Sequence, residues 1–174
     1  MNERLRLATL GSVAAAAATA ALGLAAAPAA QAATATQYYE IVNSGSRGCL
    51  DVKTEDGVYT DGARIQNYQC TGADEQKWSF VDRGNGYGWL VNKRSGKCID
   101  GGHDWLIQWS CGDVAHHQWR LLQSPAVNAY QIQERNGPRY VELPSGNGAQ
   151  GQIYSTSPVS QPGWYAQQFE FHAL

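Results

Sequence analysis

The sequence predicts an all-β protein, a closed threefold barrel capped by hairpins, and three observations carry that reading. Short apolar runs alternate with turns rich in Gly, Asn, Asp and Ser, and no long amphipathic helical pattern follows residue 32. An internal repeat occurs three times along the remainder. Each repeat closes on a large aromatic ring, Trp78, Trp119 or Phe169, the kind of side chain that three stacked units need to fill a common centre.

The first segment stands apart from that pattern. Arg4 and Arg6 precede an alanine-rich run from Val13 to Ala27, and Ala30-Gln31-Ala32 offers the small residues of a cleavage site. Residues 1–32 therefore read as a secretory signal peptide, with a secreted, extracellular product. No later stretch is long and apolar enough to span a bilayer. The mature part has 142 residues, enough for one domain that folds without a metal or a partner. It keeps 11 basic and 14 acidic side chains, a net charge of −3. Nucleic acid and anionic membranes are thus not expected partners, because both demand a basic stripe. Lys93, Arg94 and Lys97 form one small cluster, read as a solvated turn.

Four cysteines remain in this exported chain, Cys49, Cys70, Cys98 and Cys111, and suit disulfides. Three pairings are possible. Local pairing is favoured, 49 with 70 and 98 with 111, because each pair then lies within one repeat. Each closure is worth about 3 kcal/mol. Zinc is the weaker reading, since no Cys-x-x-Cys spacing occurs.

The repeats align on Cys49, Cys98 and Tyr140. Eight residues earlier stand Ile41, Leu90 and Ile132; one residue later stand Leu50, Ile99 and Val141; two later stand Asp51, Asp100 and Glu142. An aromatic follows two residues before Cys70, Cys111 or Thr156, as Tyr68, Trp109 and Tyr154. From anchor to closing ring the repeats measure 29, 21 and 29 residues, so the second has lost eight. The closing rings and the aliphatics at Ile41, Leu90 and Ile132 are expected to share one core. In Ile65–Trp78, strand alternation places Gln66 and Tyr68 on one face, an amide beside a ring that can meet the C–H face of a sugar.

Those residues resemble the ricin B-type lectins, β-trefoils related to the family 13 carbohydrate-binding modules. The resemblance covers Thr36 to Leu174, and its motif is the Gln-x-Trp triplet. The triplet is intact as Gln76-Lys77-Trp78 and altered to His117-Gln118-Trp119 and Gln167-Gln168-Phe169. It implies a β-trefoil over residues 36–174 and up to three shallow sugar pockets. In the first repeat the family positions fall on Asp51, Gln66, Tyr68, Glu75 and Gln76, with Glu75 standing where the family has Asn. Asp51 would accept sugar hydroxyls, Tyr68 would stack, and Gln76 would hold Asp51. In the second repeat they fall on Asp100, Trp109, His116 and His117, with Ile107 in the Gln place. The third, with Glu142 for Asp and Ala166 for Asn, reads as mainly structural: the longer side chain is expected to push its carboxylate outward.

No catalytic signature accompanies these residues. Neither Gly-x-Ser-x-Gly nor His-Glu-x-x-His occurs, and the acid pairs Glu55-Asp56 and Asp74-Glu75 are neighbours in polar loops rather than carboxyls across a cleft. His103, His116 and His117 invite a metal, but no carboxylate or cysteine stands at a fixed ligand spacing. The reading is a non-enzymatic carbohydrate binder without cofactor, recognising galactose-type sugars or polysaccharides such as xylan. The alternative is a trefoil scaffold whose loops bind a protein, for instance as a protease inhibitor.

Overall fold

The computed structural model describes residues 35–124, 128–154 and 165–174. The proposed leader and Thr156 lie outside the described residues, as does the side chain of Tyr154. Thirteen strands and four short 3-10 turns make up the described chain, and no helix in it is long and apolar enough to cross a membrane.

Six strands close a barrel: β1 (Tyr39–Asn43), β4 (Lys77–Asp82), β5 (Gly88–Asn92), β8 (Trp119–Gln123), β9 (Tyr130–Glu134) and β13 (Phe169–Ala173). Each pairs antiparallel with the next in that order, and β13 returns to β1. Three hairpins cap it: β2 (Cys49–Val52) with β3 (Ile65–Tyr68), β6 (Cys98–Asp100) with β7 (Ile107–Trp109), and β10 (Tyr140–Glu142) with β12 (Gln152–Tyr154). The short β11 (Ala149–Gln150) joins the third hairpin to β3 of the first. This is the hairpin-capped threefold barrel that the repeat predicts and the β-trefoil that the family resemblance implies.

Three backbone bonds tie the hairpins in a ring around the pseudo-threefold axis. The Ile65 N–H donates to Leu106 O at 3.0 Å, Leu106 N–H to Gly151 O at 2.8 Å, and Gly151 N–H to Ile65 O at 2.8 Å. The axis is crowded enough that a Cβ on Gly151 would meet Leu106 Cδ1 at 2.9 Å, which is why glycine stands there.

Trp78, Trp119 and Phe169 are all fully buried, together with Ile41, Leu90 and Ile132, as the repeat alignment predicts. A buried indole also needs an acceptor for its N–H. Trp78 Nε1 donates to Leu50 O at 2.8 Å and Trp119 Nε1 to Ile99 O at 3.1 Å, whereas the Phe169 ring requires none. Both local disulfides form, Cys49–Cys70 and Cys98–Cys111.

Consecutive repeats are joined by an asparagine six residues before each anchor cysteine. Asn92 Nδ2 donates to Glu75 O at 2.8 Å while its Oδ1 accepts from Arg94 N and Ser95 N. Asn43 does the same for Ala166 O, Gly45 N and Ser46 N. In the third repeat the position is Glu134, which is 1% exposed and has no hydrogen-bond partner on either carboxyl oxygen, although Arg139 Nη1 lies 3.1 Å away. Burial pushes this carboxyl up, against the opposing pull of Arg139, and Asp100 adds to the rise.

The eight residues missing from the second hairpin leave room that the first hairpin fills. Gly62 N–H donates to Gln108 O at 2.9 Å, Gln108 N–H to Ala63 O at 2.8 Å, and Gln108 Nε2 to Val58 O at 2.6 Å. Asp61 receives Ser110 N–H at 2.8 Å and Lys97 Nζ at 2.7 Å.

Candidate functional site

In the first repeat, β2 and β3 pair with Asp51 opposite Gln66, and the short turn Asp74–Gln76 brings Gln76 underneath. Gln66 Nε2 donates to Asp51 Oδ1 at 2.8 Å and Gln76 Nε2 to Asp51 Oδ2 at 3.0 Å. Gln76 is held in turn, accepting from Thr71 N–H at 2.7 Å and donating to Gln69 O at 2.9 Å. Asp51 is only 4% exposed, and burial pushes its carboxyl up to about 6; the two amides pull it back, while Glu75 and Glu55 add to the rise.

The expectation that Gln66 and Tyr68 point outward together holds for Tyr68 alone, which is 38% exposed. Gln66 is buried, because the carboxylate across the strand pair needs a donor and the amide supplies it. Glu75, placed among the sugar contacts by its position, is instead tied to Arg94, whose Nη1 lies 2.9 Å from Glu75 Oε2. Tyr68 and Glu75 also line separate openings. Tyr68 borders a cleft of about 330 Å³ with Arg47, Cys70 and Asn147, and Glu75 one of about 500 Å³ with Tyr59, Lys93 and Arg94; Asp51 lines neither.

The second repeat is assembled differently. Asp100, Trp109, His116 and His117 line one cleft of about 380 Å³, together with His103, Ser110, Gly112 and Val114. Trp109 offers its indole at the rim, 43% exposed, and Asp100 sits at the base, 6% exposed. Asp100 Oδ1 accepts from Gly102 N–H at 2.6 Å, and Oδ2 lies 3.2 Å from His117 Nε2. Burial raises this carboxyl, but the bonds from His117 and Gly102 and the nearby imidazoles outweigh it and hold Asp100 below the usual carboxylate range.

In the third repeat, Gln167 Nε2 donates to Glu142 Oε2 at 3.0 Å, as Gln76 does to Asp51. Glu142 is buried rather than pushed outward, since the amide holds the longer side chain down. It lies in the wall of an opening of about 430 Å³ with Asn43, Pro144, Tyr165 and Ala166.

Three features escaped the sequence reading. Tyr59, 65% exposed beside Arg94 in the long first hairpin, has no counterpart in the shortened second one, so no repeat signal marks it. Lys93 and Arg94 lie in an exposed turn as read, but with Lys97 they also pair with Asp74, Glu75 and Asp61. A carboxylate does join two of the histidines, since Asp100, His116 and His117 bring possible ligand atoms within 4.8 Å of one another; chain spacing could not reveal it because Asp100 arrives from another strand.

A family model described as ricin-type β-trefoil lectin domain-like matches residues 29–105. Among solved structures, the designed threefold-symmetric protein ThreeFoil is 31% identical, with 79% of this chain and 99% of that one covered and a TM-score of 0.69. An exo-β-1,3-galactanase from Clostridium thermocellum is 26% identical over 80% of this chain and 30% of its own, with a TM-score of 0.70. The ricin B-like lectin of Macrolepiota procera, solved in complex with lactose, shares the fold at 18% identity, covering 82% of this chain and 99% of its own, with a TM-score of 0.65. No match was found among curated protein sequences. The threefold barrel, the clamped aspartates of the first two repeats and these likenesses lead to one conclusion: the chain belongs to the ricin-type β-trefoil lectin family, whose domain binds carbohydrate.

Proposed function

We propose that this protein is an exported, non-enzymatic lectin that binds galactose-type sugars, or polysaccharides such as xylan, through pockets on its first two repeats. The observation that carries the reading is the second-repeat cleft, where a buried, oriented carboxylate lies beneath an exposed indole. A carboxylate can accept adjacent hydroxyls while the ring covers the apolar face of a pyranose. The likeness to a region of a β-1,3-galactanase supports galactose-type specificity, and this chain spans about 30% of that enzyme. A binding role is supported by the acid pairs that could have served hydrolysis: three of the four carboxylates, Asp56, Asp74 and Glu75, are each paired with a cation, and the fourth, Glu55, is exposed beside Asp56 in the same loop. Export is supported by the leader pattern and by two disulfides. Two weak pockets on one chain would gain affinity together on a polymer.

The test is a glycan and polysaccharide array at pH 7, probed with residues 33–174 and with Asp51→Ala and Asp100→Ala variants. Galactose-type or xylan signals that weaken in either variant support the reading. Signals on other sugars would revise the specificity, and silence from all three proteins would refute the lectin reading and turn attention to protein targets of the loops.

A further inference from the structure

The second repeat departs from the first at the side chain that holds its aspartate, and the departure determines where a proton sits. Gln76 bridges two groups: Nε2 donates to Asp51 Oδ2 at 3.0 Å, and Oε1 accepts from the backbone N–H of Thr71 at 2.7 Å. His117 bridges the corresponding two: Nε2 lies 3.2 Å from Asp100 Oδ2, and Nδ1 lies 3.1 Å from the backbone nitrogen of Gly112. Thr71 and Gly112 each follow the second cysteine of their repeat and each stand five residues before the bridging side chain. A peptide N–H can only donate, so Nδ1 must present its lone pair to Gly112. The proton of the neutral ring is then on Nε2, aimed at the carboxylate. His117 is 3% exposed, so the ring lies beneath the cleft rather than in its mouth.

We propose that His117 is a positioning residue, held as the Nε2–H tautomer in place of a glutamine amide, which orients Asp100 without touching the ligand. The competing use of the same atoms is a transition-metal site, since Asp100, His116 and His117 converge within 4.8 Å. The bond to Gly112 decides between them. A neutral imidazole that binds a metal through Nε2 carries its proton on Nδ1, and that proton would face another donor. The ligand role therefore costs the Gly112 contact, whereas the positioning role uses it.

The inference rests on the sugar-binding reading only for what Asp100 does, so its first test needs no sugar. Long-range proton–nitrogen correlation spectra of the histidine rings, recorded on the nitrogen-labelled mature protein at neutral pH, identify the tautomer; His117→Gln assigns the signal by its loss. The expected result is an Nε2–H pattern that equimolar zinc leaves unchanged. An Nδ1–H pattern, or conversion to one when zinc is added, overturns the proposal. On a sugar found by the array, with Asp51→Ala as background, His117→Gln should keep affinity within about threefold, whereas His117→Ala should lose about tenfold or more. A glutamine variant as weak as the alanine variant, with both folded by circular dichroism, also overturns it. Array silence would refute the lectin reading and leave the tautomer result standing.

Discussion

The first and second repeats place an aspartate at the same point of the fold and build different surroundings for it. The first retains more of the family's side-chain types, with Gln66, Tyr68 and Gln76 around Asp51, yet two of these amides are consumed in holding the carboxylate. Arg94 holds Glu75 beside a separate opening. The second has lost the Gln and has histidines in the Asn-Gln pair, yet Asp100, Trp109, His116 and His117 share one cleft. A binding pocket depends on which groups remain free and face a common space, and residue identity at aligned positions is only its precondition.

The largest expected effect tests that contrast directly. Asp100→Ala should lower affinity for the array sugar by about 10- to 100-fold, as for loss of a charge-assisted pair of hydrogen bonds. Asp51→Ala should cost less. Isothermal titration of both variants checks this, and a larger loss for Asp51→Ala would reverse the ranking of the two pockets.

Acidification should separate the repeats next. The Asp51 carboxyl, pushed up to about 6 by burial, loses its charge as the pH falls from 7 to 5, and with it the strongest acceptor of the first pocket. Asp100 is held below the usual carboxylate range and stays ionised across that window. Binding by Asp100→Ala, which retains only the first pocket, should therefore fade with acid more steeply than binding by Asp51→Ala. Folding linkage carries the matching sign. A carboxyl whose folded value exceeds its unfolded one favours the folded state most when protonated, so that contribution is lost as the pH rises through about 6. Relative to Asp51→Asn, the parent protein should gain stability between pH 6 and 4, measured by urea unfolding.

A smaller change should make the first repeat resemble its family more closely. Glu75→Asn removes the group tied to Arg94 and restores a side chain that can donate to a hydroxyl; because Glu75 lines an opening separate from that of Tyr68, first-pocket affinity read in the Asp100→Ala background should stay within about threefold of the parent value, and a larger gain would mean that the two openings serve one ligand. The smallest effect concerns the junctions between repeats. Glu134→Asn replaces a buried carboxylate lacking hydrogen bonds with the amide that serves as Asn43 and Asn92 elsewhere, and should stabilise the fold by about 1 kcal/mol in denaturant unfolding. A loss of stability would mean that the Arg139 pair outweighs the missing bonds.

Much of this was legible in the chain. Ile41, Leu90, Ile132, Trp78, Trp119 and Phe169 are legible as core because a threefold repeat brings equivalent positions to one centre, and the disulfides because each closes within a repeat. Gln76 as the holder of Asp51 was legible too, from the family motif. The inward turn of Gln66, the Arg94–Glu75 pair and the burial of Glu142 were not. Each depends on a partner that no fixed spacing supplies: a strand neighbour 15 residues away for Gln66, and the next repeat's turn for Glu75.

The sequence by itself determined the fold class, the three repeats, the central rings and the positions where a carboxylate and an aromatic would stand, because those follow from local periodicity and from a pattern repeated along one chain. Only the tertiary structure decided which side chains share one cleft, where the proton on His117 sits and which charges are already paired. Those are properties of burial and of contacts between segments far apart in the chain, where an unpartnered polar group is costly and takes whichever neighbour the packing brings.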